Sequence, residues 1–269
     1  MQKGRSLTLA CGDRVRLHRI AGGGAIDAVE PRDTLFYRSD AFREKLVAAN
    51  VSQVVGVVAP DVAIDEHLLN RWIIAAEAER CRFVLVANKA DLPAATGLAA
   101  RLRPYERLGY PVVALSAARD ATPLLRWLQA QRSVLIGQSG MGKSTILNAL
   151  VPSARAATGD VSEALVSGRH TTTSTRLYHV DERSWLVDSP GMSVFGLAHY
   201  DAANLTHAFV ELRARAGQCR FRDCRHANEP GCAVREAVKS GAIAPQRLAL
   251  FHALMGEAAA VREARTGQR

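Results

Sequence analysis

The chain has 269 residues, of which 48% are hydrophobic and 23% are charged, and this composition is typical of a folded soluble protein rather than a disordered one. No apolar run approaches the ~18 residues needed to cross a membrane, and the start of the chain lacks the apolar segment of a signal peptide, so we expect a cytoplasmic protein without a membrane partner. The formal net charge of +9 favours a polyanionic partner such as nucleic acid, although many proteins of this size are basic without one.

Residues 1–50 are predicted to form short strands and turns. Leu7–Ala10 and Arg14–Arg19 alternate polar with apolar side chains, as half-buried strands do. A run of three glycines at positions 22–24 indicates a turn after the second of these strands.

Beyond residue 50, compact apolar runs alternate with segments of helical spacing. The predicted strands are Val54–Val58, Phe83–Ala87, Val112–Leu115, Ser133–Ile136 and Trp185–Val187. The predicted helices are Ile64–Arg80, Leu98–Leu108, Pro123–Ala130, Lys143–Leu150 and, after a helical region that starts near Asn204, Gln246–Ala264. This alternation predicts an α/β domain with a mostly parallel sheet, and residues 153–175, which show no periodicity, are predicted to form a long loop.

The strongest motif is GQSGMGKS at residues 137–144, which fits G-x-x-x-x-G-K-[ST] between a predicted strand and a predicted helix. In this phosphate-binding loop, backbone N–H groups and the helix N-terminus cradle phosphate oxygens. We expect Lys143 to reach the β- and γ-phosphates and Ser144 to ligate Mg²⁺. The expected nucleotide contacts are Gly137, Gln138, Ser139, Gly140, Met141, Gly142, Lys143, Ser144 and Thr145.

The base is indicated by Asn88-Lys89-Ala90-Asp91, which follows the predicted strand Phe83–Ala87. A carboxylate such as that of Asp91 accepts two hydrogen bonds from guanine N1–H and the exocyclic amine, and adenine offers no such pair. Ser116 and Ala117, after the next predicted strand, would form a second base-contacting loop. Together with the phosphate-binding loop, these segments predict GTP and disfavour the alternative of a P-loop ATPase or kinase.

Two further segments are expected to contact the γ-phosphate and Mg²⁺. Asp188-Ser189-Pro190-Gly191 fits D-x-x-G, in which Asp188 would hold Mg²⁺ through water and the Gly191 N–H would face the γ-phosphate. In GRHTTT at residues 168–173, one threonine would close over Mg²⁺ in the GTP state, and Thr172 is our candidate among the three.

The catalytic water lacks an obvious orienting side chain. Ras-like enzymes place a glutamine directly after D-x-x-G, but this chain has Met192 there, which cannot orient a water. Hydrolysis by the isolated chain should therefore be slow. We offer His170, in the threonine segment, as a hypothetical catalytic residue.

The motifs occur in a circularly permuted order. A Ras-like GTPase runs from the phosphate-binding loop through the switches to the base motifs, whereas here the base motifs at 88–91 and 116–117 come first. The same site can still assemble, because a sheet requires its strands and not their order along the chain. The second switch, at 188–197, leads directly into the C-terminal region, so γ-phosphate contacts could bias how that region is held.

Three cysteines and a histidine crowd into a short C-terminal segment as Cys219, Cys224, His226 and Cys232. Thiolates and imidazole are preferred ligands of Zn²⁺, and four of them match a closed tetrahedral structural site with no open position for chemistry. The alternative is three free cysteines beside a surface histidine.

Basic and aromatic residues are interleaved with these proposed zinc ligands. Arg220, Arg222 and Arg225 alternate with Phe221 and His226, a combination that suits RNA because RNA is recognised through phosphate contacts and base stacking. The alternative is a solvated basic face without a ligand.

The motif order together with GQSGMGKS, GRHTTT, DSPG and CRFRDCRHANEPGC resembles the RsgA/YjeQ family of ribosome small-subunit-dependent GTPases. The resemblance covers roughly residues 30–269. It implies an N-terminal OB-fold β-barrel at 1–45, a circularly permuted GTPase domain at 46–200 and a helical zinc-binding domain at 201–269. Residues 1–45 are short for a five-stranded barrel, which needs on the order of 50–70 residues, so we expect an incomplete one.

The resemblance also implies a role in late maturation of the small (30S) ribosomal subunit. Such a protein binds the subunit and its rRNA in the GTP state, is activated by the subunit and leaves after hydrolysis. We expect a monomer that uses Mg²⁺ with GTP and one structural Zn²⁺. The alternative is a GTP-regulated RNA-binding factor in which hydrolysis is incidental.

Overall fold

The structure, a computed structural model, describes residues 7–39, 44–154, 175–188, 194–197 and 199–266. The chain divides into two compact units. The first comprises Met1–Ile64 and Cys81–Phe195, and the second comprises Asp65–Arg80 and Gly196–Arg269. Among the described residues, none of the helices combines the length and apolar character that a membrane crossing requires.

The first unit contains the strands of the molecule. In chain order they are β1 (Val15–Ile20), β2 (Gly23–Val29), β3 (Leu35–Ser39), β4 (Glu44–Ala49), β5 (Gln53–Val58), β6 (Arg82–Ala87), β7 (Val112–Ala114), β8 (Arg132–Ile136), β9 (Arg176–His179) and β10 (Trp185–Asp188). Six of them form a central sheet in the order β7-β6-β5-β8-β10-β9. All neighbours in this sheet are parallel except β9, which pairs antiparallel with β10.

The central strands are apolar on both faces, as expected for a covered parallel sheet. The side chains of Val54, Val55 and Val57 in β5 and of Val134 and Leu135 in β8 are fully buried. The predicted mostly parallel sheet is therefore confirmed. Its strand order matters for function, because it brings the carboxyl ends of β6, β7 and β8 to one edge, where ligands of open α/β sheets bind.

The helices follow the predicted segments closely, with one exception. They are α1 (Glu66–Ala78), α2 (Ala95–Arg107), α3 (Leu125–Leu128), α4 (Lys143–Leu150), α5 (Ala202–Ala208), α6 (Val210–Ala216), α7 (Ala233–Lys239) and α8 (Pro245–Thr266). The predicted helix Pro123–Ala130 is a 3₁₀ turn at Thr122–Leu124 followed by the single turn α3.

The N-terminal part of the first unit consists of two separate hairpins, β1–β2 and β3–β4. Leu7–Ala10, predicted as a strand, has no regular structure. The Ala10 N–H donates to the Asp13 carboxylate at 2.7 Å, and such a side-chain bond competes with strand pairing. Phe36 of β3 is buried and packs on Phe195, with ring centroids 4.8 Å apart. An OB-fold barrel in this region stays a prediction.

The second unit is helical and includes α1, although α1 lies between β5 and β6 in the sequence. Asp65 caps α1 by accepting from the Leu68 N–H at 3.1 Å. The buried Arg247 of α8 donates to both carboxylate oxygens of Glu211 and, at 2.6 Å, to Asn70 of α1. These buried charges are paired and hydrogen-bonded, so they tie three helices of this unit together.

Candidate nucleotide and metal sites

Three loops meet at the carboxyl edge of the sheet, and Asn88 joins them. Its side-chain amide donates to the Met141 carbonyl of the phosphate-binding loop at 2.9 Å, and its carbonyl oxygen accepts from the Ala117 N–H at 3.0 Å. Asn88 is only 2% exposed, so both bonds form away from water, where an unpaired amide would be costly. The two predicted base loops and the predicted phosphate-binding loop therefore form one constellation.

Lys89 spans the gap between the base loop and the phosphate-binding loop. Its ammonium donates to the Gly140 carbonyl at 2.8 Å and to the Asp61 carboxylate at 2.6 Å. Sequence reasoning missed Asp61. The signal that could have found it is its place directly after β5, the strand that lies between β6 and β8 in the sheet.

Asp91, the residue expected to recognise guanine, accepts from the Ser116 hydroxyl at 2.6 Å. Arg119 lies 3.3 Å from its other carboxylate oxygen. The hydrogen bond from Ser116 and the charge of Arg119 lower the pKa of Asp91 below its usual value. The carboxylate is therefore ionised at neutral pH, as an acceptor of two guanine N–H groups must be.

The phosphate-binding loop needs glycine for two reasons: a left-handed backbone conformation and close packing against neighbouring atoms. Gly140 and Gly142 have φ of +81° and +91°, a left-handed conformation that favours glycine. At Gly142 and Gly137, a Cβ would lie 2.2 Å from Asn88 Nδ2 and 2.6 Å from the Val57 carbonyl oxygen, respectively. The loop lies too close to its neighbours to accept side chains at these places.

Lys143 begins α4, the helix at whose N-terminus the phosphates are expected. Its ammonium donates to the carbonyls of Gly137 and Gln138 at 2.6 Å and 3.0 Å. Ser144 and Thr145 follow in the first turn with exposed side chains. The remaining predicted loop residues occupy the turn itself, with Ser139 exposed and the Met141 side chain fully buried.

Asp188 ends β10, beside Leu135 of β8. Burial raises the pKa of Asp188, and the nearby charge of Lys143 partly offsets that rise. Burial also lowers the pKa of Lys143, against the opposing effect of Asp188. Each charge thus partly offsets the effect of burial on the other group, and the D-x-x-G role of Asp188 stays a prediction.

Several predicted residues lie outside the described part of the chain. They are Gly191, the position of Met192, and the threonine segment 168–173 with His170 and Thr172. Their roles stay predictions.

The four predicted zinc ligands come together, with all their ligand atoms within 4.8 Å of one another. His226 Nδ1 lies 3.6 Å from Cys219 Sγ and 3.4 Å from Cys232 Sγ. Ligand atoms of a tetrahedral zinc site, with Zn–S about 2.3 Å and Zn–N about 2.0 Å, lie roughly 3.5–3.8 Å apart. The donor set and spacing thus fit Zn²⁺.

Burial and the crowding of neighbouring thiols raise the pKa of Cys224 to about 12. A thiol in this environment stays protonated unless a cation compensates the thiolate charge. Cys224 is therefore not suited to react as a free nucleophile.

Glu229 holds the backbone around the ligand His226 and was not predicted from the sequence. Its carboxylate accepts from the Arg225 N–H at 2.9 Å and from the Ala227 N–H at 2.8 Å. These bonds, that from Arg225 foremost, lower its pKa to about 2. His226 itself has φ of +60°, uncommon for a residue with a side chain, so the turn that presents this ligand needs such support.

Of the basic and aromatic residues of the same segment, Phe221 and the three arginines face solvent, whereas His226 is buried in the ligand cluster and does not offer its ring for stacking. Phe221 is 40% exposed, and the Arg220 guanidinium lies 5.5 Å from its ring centroid. Arg222 and Arg225 are also exposed. The segment thus offers positive charge and one aromatic face together.

Comparisons with known proteins agree with this geometry. A family model described as RsgA GTPase matches residues 29–198. Curated relatives from Nitrosospira multiformis and Neisseria gonorrhoeae, both named small ribosomal subunit biogenesis GTPase RsgA, are 46% identical to this chain, with 94% of it aligned to 82% and 83% of their lengths.

Solved structures show the same similarity. The crystal structure of YjeQ from Thermotoga maritima matches 94% of this chain and 86% of its own, with a TM-score of 0.71 and 30% identity. The structure of YloQ, described as a circularly permuted GTPase, matches 95% of this chain and 83% of its own, with a TM-score of 0.69 and 25% identity.

The family match extends over more than half of the chain, and it includes the base loops, the phosphate-binding loop and Asp188. The structural matches extend over both compact units. The chain therefore belongs to the RsgA GTPase family and is a GTP-hydrolysing enzyme with a circularly permuted GTPase domain.

Proposed function

We propose that this chain hydrolyses GTP at the carboxyl edge of its parallel sheet in the course of small ribosomal subunit maturation. The main support for the nucleotide site is the pair of Asn88 hydrogen bonds, which joins the base loops to the phosphate-binding loop. The names of the curated relatives support the ribosomal assignment.

In the proposed site, the Asp91 carboxylate accepts from guanine N1–H and the exocyclic amine. The Ser116–Ala117 loop lies beside Asn88, which accepts from the Ala117 N–H, and a backbone N–H of this loop would approach guanine O6. The alkyl stem of Lys89 flanks the base. ATP is disfavoured because adenine would leave the Asp91 carboxylate without its two donors.

The phosphates occupy the turn at 137–144 and the N-terminus of α4. Lys143 exchanges its two carbonyl partners for phosphate oxygens, and Ser144 ligates the Mg²⁺ that accompanies GTP. Asp188 would help to hold the same ion, and a bound Mg²⁺ would neutralise phosphate charge.

Water attacks the γ-phosphate in line, and catalysis comes from positioning and charge stabilisation. Gly191 N–H, Thr172 and His170 complete the site in this proposal, with His170 orienting the water in the absence of a glutamine at Met192. We expect slow turnover until the ribosomal subunit activates the site.

We further propose that the chain binds the subunit and its rRNA in the GTP state and leaves after hydrolysis. The net charge of +9 and the exposed Arg220, Phe221, Arg222 and Arg225 support an RNA contact. Cys219, Cys224, His226 and Cys232 would hold a structural zinc ion that keeps this segment in shape. In this role the chain acts in the cytoplasm as a monomer, without a membrane partner.

The second candidate is a GTP-regulated RNA-binding factor in which hydrolysis is incidental. The absence of a glutamine at the usual position, where this chain has Met192, favours it. The two candidates differ in whether the subunit accelerates hydrolysis.

GTP turnover by the purified chain, with and without purified small subunits, tests the proposal. We expect strong stimulation by the subunit, abolished by Lys143→Ala and retained by the control Lys45→Ala, which removes an exposed lysine of the same unit. Subunit binding in the GTP state without stimulation would favour the second candidate. GTP affinity unaffected by Lys143→Ala would contradict the site itself.

A further inference from the structure

The turn that follows β5, residues 59–62, lies beside the phosphate-binding loop. It is closed by a bond from the Val62 N–H to the Ala59 carbonyl at 3.4 Å. A Cβ added at Gly140 would lie 3.4 Å from Val62 Cγ2, so this turn and the phosphate-binding loop are in van der Waals reach of each other. None of the nucleotide motifs includes this turn.

Asp61 projects from the turn to the ammonium of Lys89 at 2.6 Å, while the same ammonium donates to the Gly140 carbonyl at 2.8 Å. Both partners of the ammonium lie outside the loop that carries Lys89. Lys89 also has φ of +57°, an uncommon backbone conformation for a lysine. The residue is thus constrained at its backbone and at the far end of its side chain.

A lysine stem has several freely rotating bonds and loses rotamer entropy when it is ordered on a ligand. A stem that is already anchored at its tip loses less on binding, because that ordering has occurred in the free protein. Asp61 is the charged member of the two anchors, and hydrogen bonds between ionised partners are the stronger kind.

We propose that Asp61 is a positioning residue of the guanine site: it holds the Lys89 ammonium against the phosphate-binding loop, so that the Lys89 stem forms a fixed wall for the base. This inference rests on the proposed function, in which the Lys89 stem flanks guanine. The hydrogen bond from Lys89 lowers the pKa of Asp61, so the carboxylate is ionised at neutral pH.

The contact between Asp61 and Lys89 should affect the binding of GTP and GDP equally. In the proposed site the Lys89 stem contacts the base, which GTP and GDP share, so both should weaken by the same factor when Asp61 is removed. The kcat at saturating GTP should stay constant while KM rises. The Asp61 side chain is 43% exposed, and pairs of this kind contribute modestly, so we expect about twofold to fivefold weaker binding.

The test is a double-mutant cycle measured by calorimetric binding of GDP and of a non-hydrolysable GTP analogue. The variants are Asp61→Ala, Lys89→Ala and the two combined, and Asp61→Asn serves as a graded variant that keeps the shape but not the charge. Glu106→Gln is the control, because it removes an exposed acid of the same unit in α2. Thermal unfolding of each free variant checks that the fold persists.

We expect Asp61→Ala to weaken both nucleotides, Asp61→Asn to weaken them less, and Asp61→Ala to add nothing once Lys89 is alanine. If Lys89→Ala weakens binding and Asp61→Ala does not, the role of Asp61 is wrong while the guanine site stands. If Asp61→Ala weakens binding equally with and without Lys89, its effect is general and the positioning role is also overturned. If Lys89→Ala itself has no effect, the proposed base site fails.

Discussion

The contacts within the nucleotide site join residues far apart in the sequence, whereas the contacts within the zinc segment join residues that are close together. Asn88 bonds to Met141 across 53 positions, whereas Cys219 and His226 are only 7 positions apart. The nucleotide loops are positioned by strands of the sheet that have already paired. The candidate metal ligands are positioned by local turns such as that of Glu229, and a metal ion would complete their arrangement. The sheet therefore positions the nucleotide loops, whereas local turns and a metal ion would position the Cys/His segment.

The largest expected effect is the loss of a zinc ligand. Cys232→Ser should reduce bound zinc to near none and remove hydrogen-exchange protection at residues 219–232, because Cys232 is buried in the ligand cluster. Zinc binding supplies on the order of 10–16 kcal/mol to the folding of small zinc domains, and a local segment has no sheet to replace it.

Metal analysis and hydrogen exchange measure this outcome. Cys81→Ser is the control, because Cys81 is a buried cysteine that donates to the Val51 carbonyl and lies outside the cluster. Full protection of residues 219–232 without zinc would mean that this segment, too, is held by the surrounding fold.

A second prediction concerns the contact between distant loops. Gly142→Ala places a methyl group 2.2 Å from Asn88 Nδ2 at a φ of +91°. We expect about 1–3 kcal/mol of destabilisation from backbone strain, and a loss of GTP affinity as Asn88 is displaced from Met141.

Urea unfolding and GTP binding provide the two readouts for this variant. Gly97→Ala in α2 is the matched control, since its added methyl meets nothing within 4 Å and alanine favours a helix. GTP affinity equal to that of the unaltered chain in Gly142→Ala would show that the loops are joined by something other than Asn88.

The smallest expected effect tests the local support of the zinc segment. Glu229→Gln should speed zinc loss to a chromogenic chelator by about tenfold, since one amide oxygen replaces a carboxylate that holds two backbone N–H groups around His226. The pKa of Glu229, lowered to about 2, keeps the carboxylate ionised at the neutral pH of the assay.

Asp223→Asn is the control for this variant, because it removes a neighbouring exposed acid next to Cys224. If both variants lose zinc equally fast, the negative charge matters and the hydrogen bonds to the backbone do not.

Much of this molecule follows from patterns that are close together in the sequence. Strands such as β5 are apolar on both faces, so a covered parallel sheet was predictable before its neighbours were known. The phosphate-binding loop and the zinc ligands were predictable because each is a short motif whose spacing reflects its chemistry. Local patterning also misled us at Leu7–Ala10, where the Asp13 carboxylate takes a backbone N–H that a strand would use.

Contacts between distant segments could not be predicted in the same way. Asn88 was recognisable as part of a base motif, but its bonds to Met141 and Ala117 depend on which strands are neighbours. Asp61 carries no motif, and its meeting with Lys89 depends on β5 lying between β6 and β8. Similarly, α1 groups with the C-terminal helices, and one of the bonds between them joins Arg247 to Asn70, which are 177 positions apart.

The sequence by itself determined the nucleotide class, the permuted motif order and the four residues of the candidate metal cluster, because each depends on residue types at short spacing. Only the tertiary structure decided which side chains hold these motifs in place. The physical reason is that sheet pairing joins residues far apart in sequence, and hydrogen-bond geometry between such residues leaves no periodic trace along the chain.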